Sequence, residues 1–260
     1  MYIKPYDELT IQDNFIFQKV MRNKRICKQT IERLLDIDIK DISYPEEEKS
    51  INVRLDSKSI RLDVYVNDDK GTVFNIEMQT TKDMDELVKR TRYYQGLIDI
   101  DNIEKGQNYS ALHDTYIIFI CTFGVFTGKR HKYTFRNLCI EDNEILLNDG
   151  TTKLFLSTKG EADDVSKPLK MFLDYVDGKK PEDALMQEID HEVDKVKHCD
   201  EWRRDYMTLA LEMDKKWREG KAEGKIEAIR NAIKDGLTTL AAVKKSGRYT
   251  EEEIAAIAAP

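Results

Sequence analysis

Asp63, Glu77 and Gln79 are the residues whose types and spacing could do chemistry. When the stretch 61–80 is folded about residue 70, Asp63 and Glu77 fall opposite one another, seven positions out on either arm. Directly opposed residues of a strand pair carry Cβ atoms about 4.5 to 5.5 Å apart on one face. Carboxylates that close repel unless a proton or a cation lies between them. Hard oxygen ligands at that separation suit Mg²⁺, which binds through few carboxylates and keeps several waters for a phosphate. Gln79 follows Glu77 at the same-face period of a strand, and its amide donates and accepts without carrying charge.

The elements that must position these residues are legible in the alternation around them. Leu62, Val64 and Val66 alternate with Arg61, Asp63 and Tyr65, and Phe74, Ile76 and Met78 alternate with Asn75, Glu77 and Gln79. That is strand periodicity on both arms. Asn67-Asp68-Asp69-Lys70-Gly71 between them has turn chemistry, with Gly71 free to take positive φ. The stretch is therefore a β-hairpin. A simpler reading makes the polar positions a solvated face; two acids in opposed register weigh against it, since like charges facing each other destabilise a sheet.

The run R-L-D-V-Y-V, followed by N-I-E-M-Q-T and K-R-T-R-Y-Y, resembles the PD-(D/E)xK nuclease core. Within it the chain is similar to the branch known as Rpn (recombination-promoting nuclease), or PD-(D/E)xK nuclease family transposase. The likeness extends to T-I-Q-D-N-F-I-F near the start, G-Q-N-Y-S-A-L-H-D-T-Y-I-I-F-I in the middle and the Glu-Gly-Lys repeats of the tail. It implies an α/β fold with a restriction-endonuclease-like mixed sheet flanked by helices, followed by a helical C-terminal extension. It also implies a divalent-metal-dependent DNA endonuclease associated with transposition or recombination. Asp63, Glu77 and Gln79 would be catalytic, and Asp63 and Glu77 would hold Mg²⁺ or Mn²⁺, activating a water toward phosphorus. An acid of the first helices, Asp13 or Glu32, can join such a site. Leu62 stands where the superfamily name has Pro, and Gln79 where it has Lys, so a positive charge is missing from the motif strand. On this reading Gln79→Lys keeps or raises activity.

The chain has 260 residues, 40% of them apolar, enough for a sizeable core. Its longest apolar run, Tyr116 to Phe126, is about half a membrane span, and the first residues lack a signal-peptide core. A cytoplasmic protein that avoids the membrane is expected. Cys27, Cys121, Cys139 and Cys199 lie far apart, which fits neither a zinc site nor a disulfide framework. A net charge of −7 argues against coating nucleic acid by charge alone, so local patches must serve. Lys89, Arg90 and Arg92 form a candidate nucleic-acid-binding patch, in which Arg90 or Arg92 leans over the site edge. Lys129-Arg130-His131-Lys132 forms a second patch or a solvated turn.

In chain order, Thr10 and Asp13 read as a capping box before an apolar helix, and a second helix spans about Lys24 to Leu35. Asp41 to Val53 reads as a strand interrupted at Pro45-Glu46-Glu47-Glu48. Asp83 to Ile98 has helical spacing with an acidic start, and Thr115 to Phe123 reads as a strand buried on both sides. Tyr133 to Leu156 reads as an accessory hairpin turning at Asn148-Asp149-Gly150. The expected organisation is a nuclease domain over 1–160, a helical extension with a charged linker over 161–236, and a helix pair over 237–260 capped at Thr250-Glu253. The apolar face of Trp202, Tyr206, Leu209 and Met213 fits a homodimer formed through 167–260 as well as packing on the chain's own core.

Two rival readings come from other classes. One is a catalytically degenerate nuclease fold that binds nucleic acid or protein, and the other is an interaction protein whose working part is the helical tail.

Overall fold

The structure is a computed structural model that describes residues 2–44, 50–51 and 60–259. The expected interruption at Pro45-Glu46-Glu47-Glu48 lies outside them. Contacts divide the chain into two compact units, residues 7–199 and residues 200–260 with 1–6. None of the described helices is long and apolar enough to cross a membrane.

The larger unit opens with helices α1 (Asn14–Met21) and α2 (Lys24–Leu35). Helix α1 starts later than Thr10. Asp13 is its N-cap residue and turns its carboxylate back, Oδ2 accepting from the Thr10 amide at 2.7 Å. Short strands β1 (Ile42–Ser43), β2 (Ser50–Ile51) and β3 (Ile60–Arg61) follow, β2 and β3 pairing with each other. The central hairpin is β4 (Val64–Asp68) and β5 (Val73–Gln79). Gly71 closes it at φ +85°, where a Cβ would meet the His113 ring at 2.6 Å.

Helix α3 (Met84–Asn102) crosses from β5 to β6 (Thr115–Cys121), which pairs parallel to β5. Asp83 caps α3, its Oδ1 accepting from the Glu86 amide at 3.0 Å. Strands β7 (Lys132–Phe135) and β8 (Thr151–Ser157) complete a six-stranded mixed sheet in the order β1-β4-β5-β6-β8-β7. The sheet flanked by helices is the expected α/β class. The expected hairpin is present, β7 pairing antiparallel with β8, but it is not accessory, because β8 lies inside the sheet, parallel to β6. Leu154, Phe155 and Leu156 are buried there, and the polar Thr151, Thr152 and Lys153 at its start disguise a core strand as a surface one.

One face of the sheet packs on α3 through Tyr65, Ile117, Phe119 and Phe155 against Leu87, Tyr94, Leu97 and Ile98. Helix α1 packs on β5, and helices α4 (Lys167–Val176) and α5 (Ala184–Lys197) pack on α2 and α1. Gln12 Nε2 donates to the Val176 carbonyl at 2.6 Å, and Arg33 pairs with Asp183 at 2.6 Å. These contacts carry the larger unit past the composition shift near residue 160. In the smaller unit α6 (Asp200–Lys234) runs unbroken through Glu219–Lys225, so the expected charged linker is a solvated helix. The last two helices, α7 (Leu240–Lys245) and α8 (Glu251–Ala258), turn at Gly247, and Thr250 with Glu253 forms the expected capping box.

Candidate active site

The hairpin ladder ends at Val64↔Ile76, and the next rung is Asp63 opposite Glu77, the register that folding about residue 70 gives. Backbone does not make this rung. Asp63 lies on a bend just outside β4, and the two acids clasp each other's strands. The Asp63 amide donates to Glu77 Oε1 at 3.2 Å, and the Met78 amide donates to Asp63 Oδ2 at 3.1 Å. Gln18, on α1, adds a third tie, its Nε2 donating to Asp63 Oδ1 at 2.8 Å.

Glu77 is 3% exposed, which removes the solvated-face reading. Burial, and after it the charge of Asp63, hold its carboxyl well above the usual carboxylate range. The Asp63 amide, Arg90 and Asn75 oppose that shift. Fully buried Asn75, with its amide nitrogen turned toward Glu77, reaches Oε1 at 3.1 Å and the Val64 carbonyl at 3.2 Å.

Of the three basic residues expected on α3, Arg90 enters the site, while Lys89 and Arg92 lie on the exposed surface. Arg90 Nη1 donates to Gln79 Oε1 at 3.1 Å, and Nη2 donates to Tyr94 Oη at 2.8 Å and lies 3.5 Å from Glu77 Oε2. Burial and the charge of Glu77 raise the Tyr94 hydroxyl to about 12, so it stays protonated at neutral pH. Gln79 also donates from Nε2 to the Thr81 carbonyl at 2.9 Å.

The other expected participants have structural partners. Glu32 Oε1 accepts from Lys28 Nζ at 2.6 Å and from the Ile39 amide at 2.9 Å. The second basic patch is tied to the segment after β8, Lys129 pairing with Glu161 at 2.8 Å and Asp164 accepting from the His131 amide at 3.1 Å. Sequence reasoning missed Gln18 and Asn75. Period-two spacing puts Asn75 on the face of Glu77, a usable signal, whereas nothing local ties Gln18 to Asp63.

Among the described residues no group of three or more His, Cys, Asp and Glu is arranged to hold a metal. The paired carboxylates still fit a hard divalent cation of the Mg²⁺ kind, which needs few protein ligands. A cation between them would also relieve the repulsion that adds to burial in raising the Glu77 carboxyl above its usual range.

A family model described as PD-(D/E)XK nuclease family transposase matches residues 14–158. That span runs from the start of α1 to just past β8 and contains every residue of the site. No curated protein and no solved structure matches the chain.

Proposed function

Because the chain belongs to the PD-(D/E)XK nuclease family transposases, we propose that it is a divalent-metal-dependent DNA endonuclease with Asp63, Glu77 and Gln79 as its site. The observation that carries this reading is the clasp between the acids, which buries Glu77 against a second carboxylate. A cation between the members of such a pair favours its ionised form.

Asp63 and Glu77 hold Mg²⁺ or Mn²⁺ in this reading, and the ion supplies Lewis acidity toward a phosphate and a nucleophile at neutral pH. The chain does the positioning. Asn75 and the Asp63 amide fix Glu77 Oε1, and Gln18 and the Met78 amide fix both oxygens of Asp63. The acids are thereby held before substrate arrives, which limits reorganisation during reaction. Lys89 and Arg92, exposed on α3, meet the DNA backbone, where each neutralised phosphate adds affinity and salt dependence. The proposed setting is the cytoplasm, consistent with four free cysteines.

A supercoiled plasmid tests the reading. Nicking in Mg²⁺ or Mn²⁺ that EDTA abolishes is the expected result. DNA binding without cutting in either metal would support the degenerate, binding-only fold, the reading favoured by an uncharged Gln79 in place of Lys.

A further inference from the structure

We propose that the site's positive charge comes from Arg90 on α3, and that Gln79 is the positioning residue that holds the guanidinium in place; this rests on the nuclease reading above. The motif strand has no cation at residue 79. Nor is the Gln79 amide available to substitute for one, because Oε1 accepts from Arg90 and Nε2 donates to the Thr81 carbonyl. Offering Nε2 to a phosphate would break the bond that sets the amide's orientation.

Arg90 is built in from several directions. Its Cζ lies 5.3 Å from the Tyr94 ring centroid and 5.5 Å from that of Phe119. Tyr94 Oη and Gln79 Oε1 accept from it, and Glu77 Oε2 stands 3.5 Å away. Tyr94 follows Arg90 by four residues, one turn along the same helical face. The ring contacts favour a guanidinium, which stacks where an ammonium would not. With 26% of its side chain exposed, Arg90 is neither a surface steering charge nor a sealed core ion pair. Its three hydrogen bonds leave guanidinium donors over for a phosphate oxygen. A fixed cation at that position acts on charge that develops during phosphoryl transfer, where preorganised donors count most.

The competing explanation is that Arg90 merely offsets the buried charge of Glu77. Moving the charge separates the two. Arg90→Met, Gln79→Lys and the double variant are compared with the parent by plasmid nicking in Mg²⁺ and by anisotropy of a fluorescent duplex in Ca²⁺, with folding followed by circular dichroism. Arg90→Met is expected to lose about 100-fold or more in cutting, with duplex affinity changed less than about threefold, since one lost phosphate contact has a modest effect on binding. Adding Gln79→Lys is expected to recover at least about tenfold by returning the cation to the strand. Arg90→Gln, which can still bond Tyr94, replaces Arg90→Met if the latter unfolds. A double variant no more active than the single one overturns the proposal and leaves the nuclease reading intact, provided the parent cuts. So does a fall in affinity that matches the fall in cutting. A parent that cuts in neither Mg²⁺ nor Mn²⁺ removes both.

Discussion

Glu77 combines near-complete burial with a carboxylate neighbour, and that has a consequence for stability without metal. Its folded-state pKa lies above the unfolded value of about 4.5, so the native state holds the proton more tightly. Its contribution is therefore fully present below about pH 4.5 and is lost as pH rises through the folded pKa. Glu77→Gln keeps an oxygen to accept from the Asp63 amide and removes this loss. In EDTA it should raise Tm relative to the parent at pH 8, about 2–4 °C for each kcal/mol in a domain of this size, and leave it unchanged at pH 4. Thermal scans at the two pH values check this. From the register alone, alanine at either acid is also expected to relieve strain, but the clasp shows otherwise. Truncation would orphan the amides of Asp63 and Met78, each at a cost of about 1–3 kcal/mol where buried. The structure also reverses an expectation for Gln79→Lys alone. Beside Arg90, a second cation replaces an acceptor with a like charge, so the single variant should cut less than the parent. Parallel time courses of plasmid nicking measure it.

At the scale of elements, the hairpin was the most legible part, since period-two alternation and a turn centred near residue 70 suffice to place Asp63 against Glu77. The sequence could not show that the last rung would be built from side chains, because that depends on Asp63 lying on a bend. Strand β6 and the start of α3 were also readable, from a β-branched run and from the acidic residues that begin at Asp83. The hairpin of β7 and β8 was readable from its turn, but not the place of β8 inside the sheet, because its polar first residues mimic a surface strand. The turn itself can be tested. Gly71→Ala forces a Cβ into positive φ, at a cost of about 1–2 kcal/mol, and drives it into the His113 ring. A fall in Tm of several degrees is expected, with a larger proportional loss in cutting if the turn shifts the acids out of register. Unchanged melting would show that the turn does not hold them.

For the whole molecule, the composition shift near 160 marks where strands stop, whereas the larger unit continues to Cys199 because α4 and α5 cover α1 and α2. No local signal carries that, as it depends on pairs such as Arg33 with Asp183. In the smaller unit, Tyr206 packs on Tyr6 with ring centroids 5.6 Å apart, while Met207, Leu211, Met213 and Trp217 remain exposed along α6. Cutting both strands of a duplex needs two sites, which a two-fold dimer supplies. The full chain is expected to sediment as a dimer at tens of micromolar and a chain ending at Cys199 as a monomer; two monomers would make α6 an element that serves within its own chain. The most direct test of the account remains the acid pair. Asp63→Asn and Glu77→Gln, purified separately and shown to be folded, are assayed beside the parent for plasmid nicking in Mg²⁺ and in EDTA. EDTA-sensitive nicking by the parent is expected, with a loss of about 100-fold or more in each variant; undiminished cutting by both would place the chemistry elsewhere in the chain.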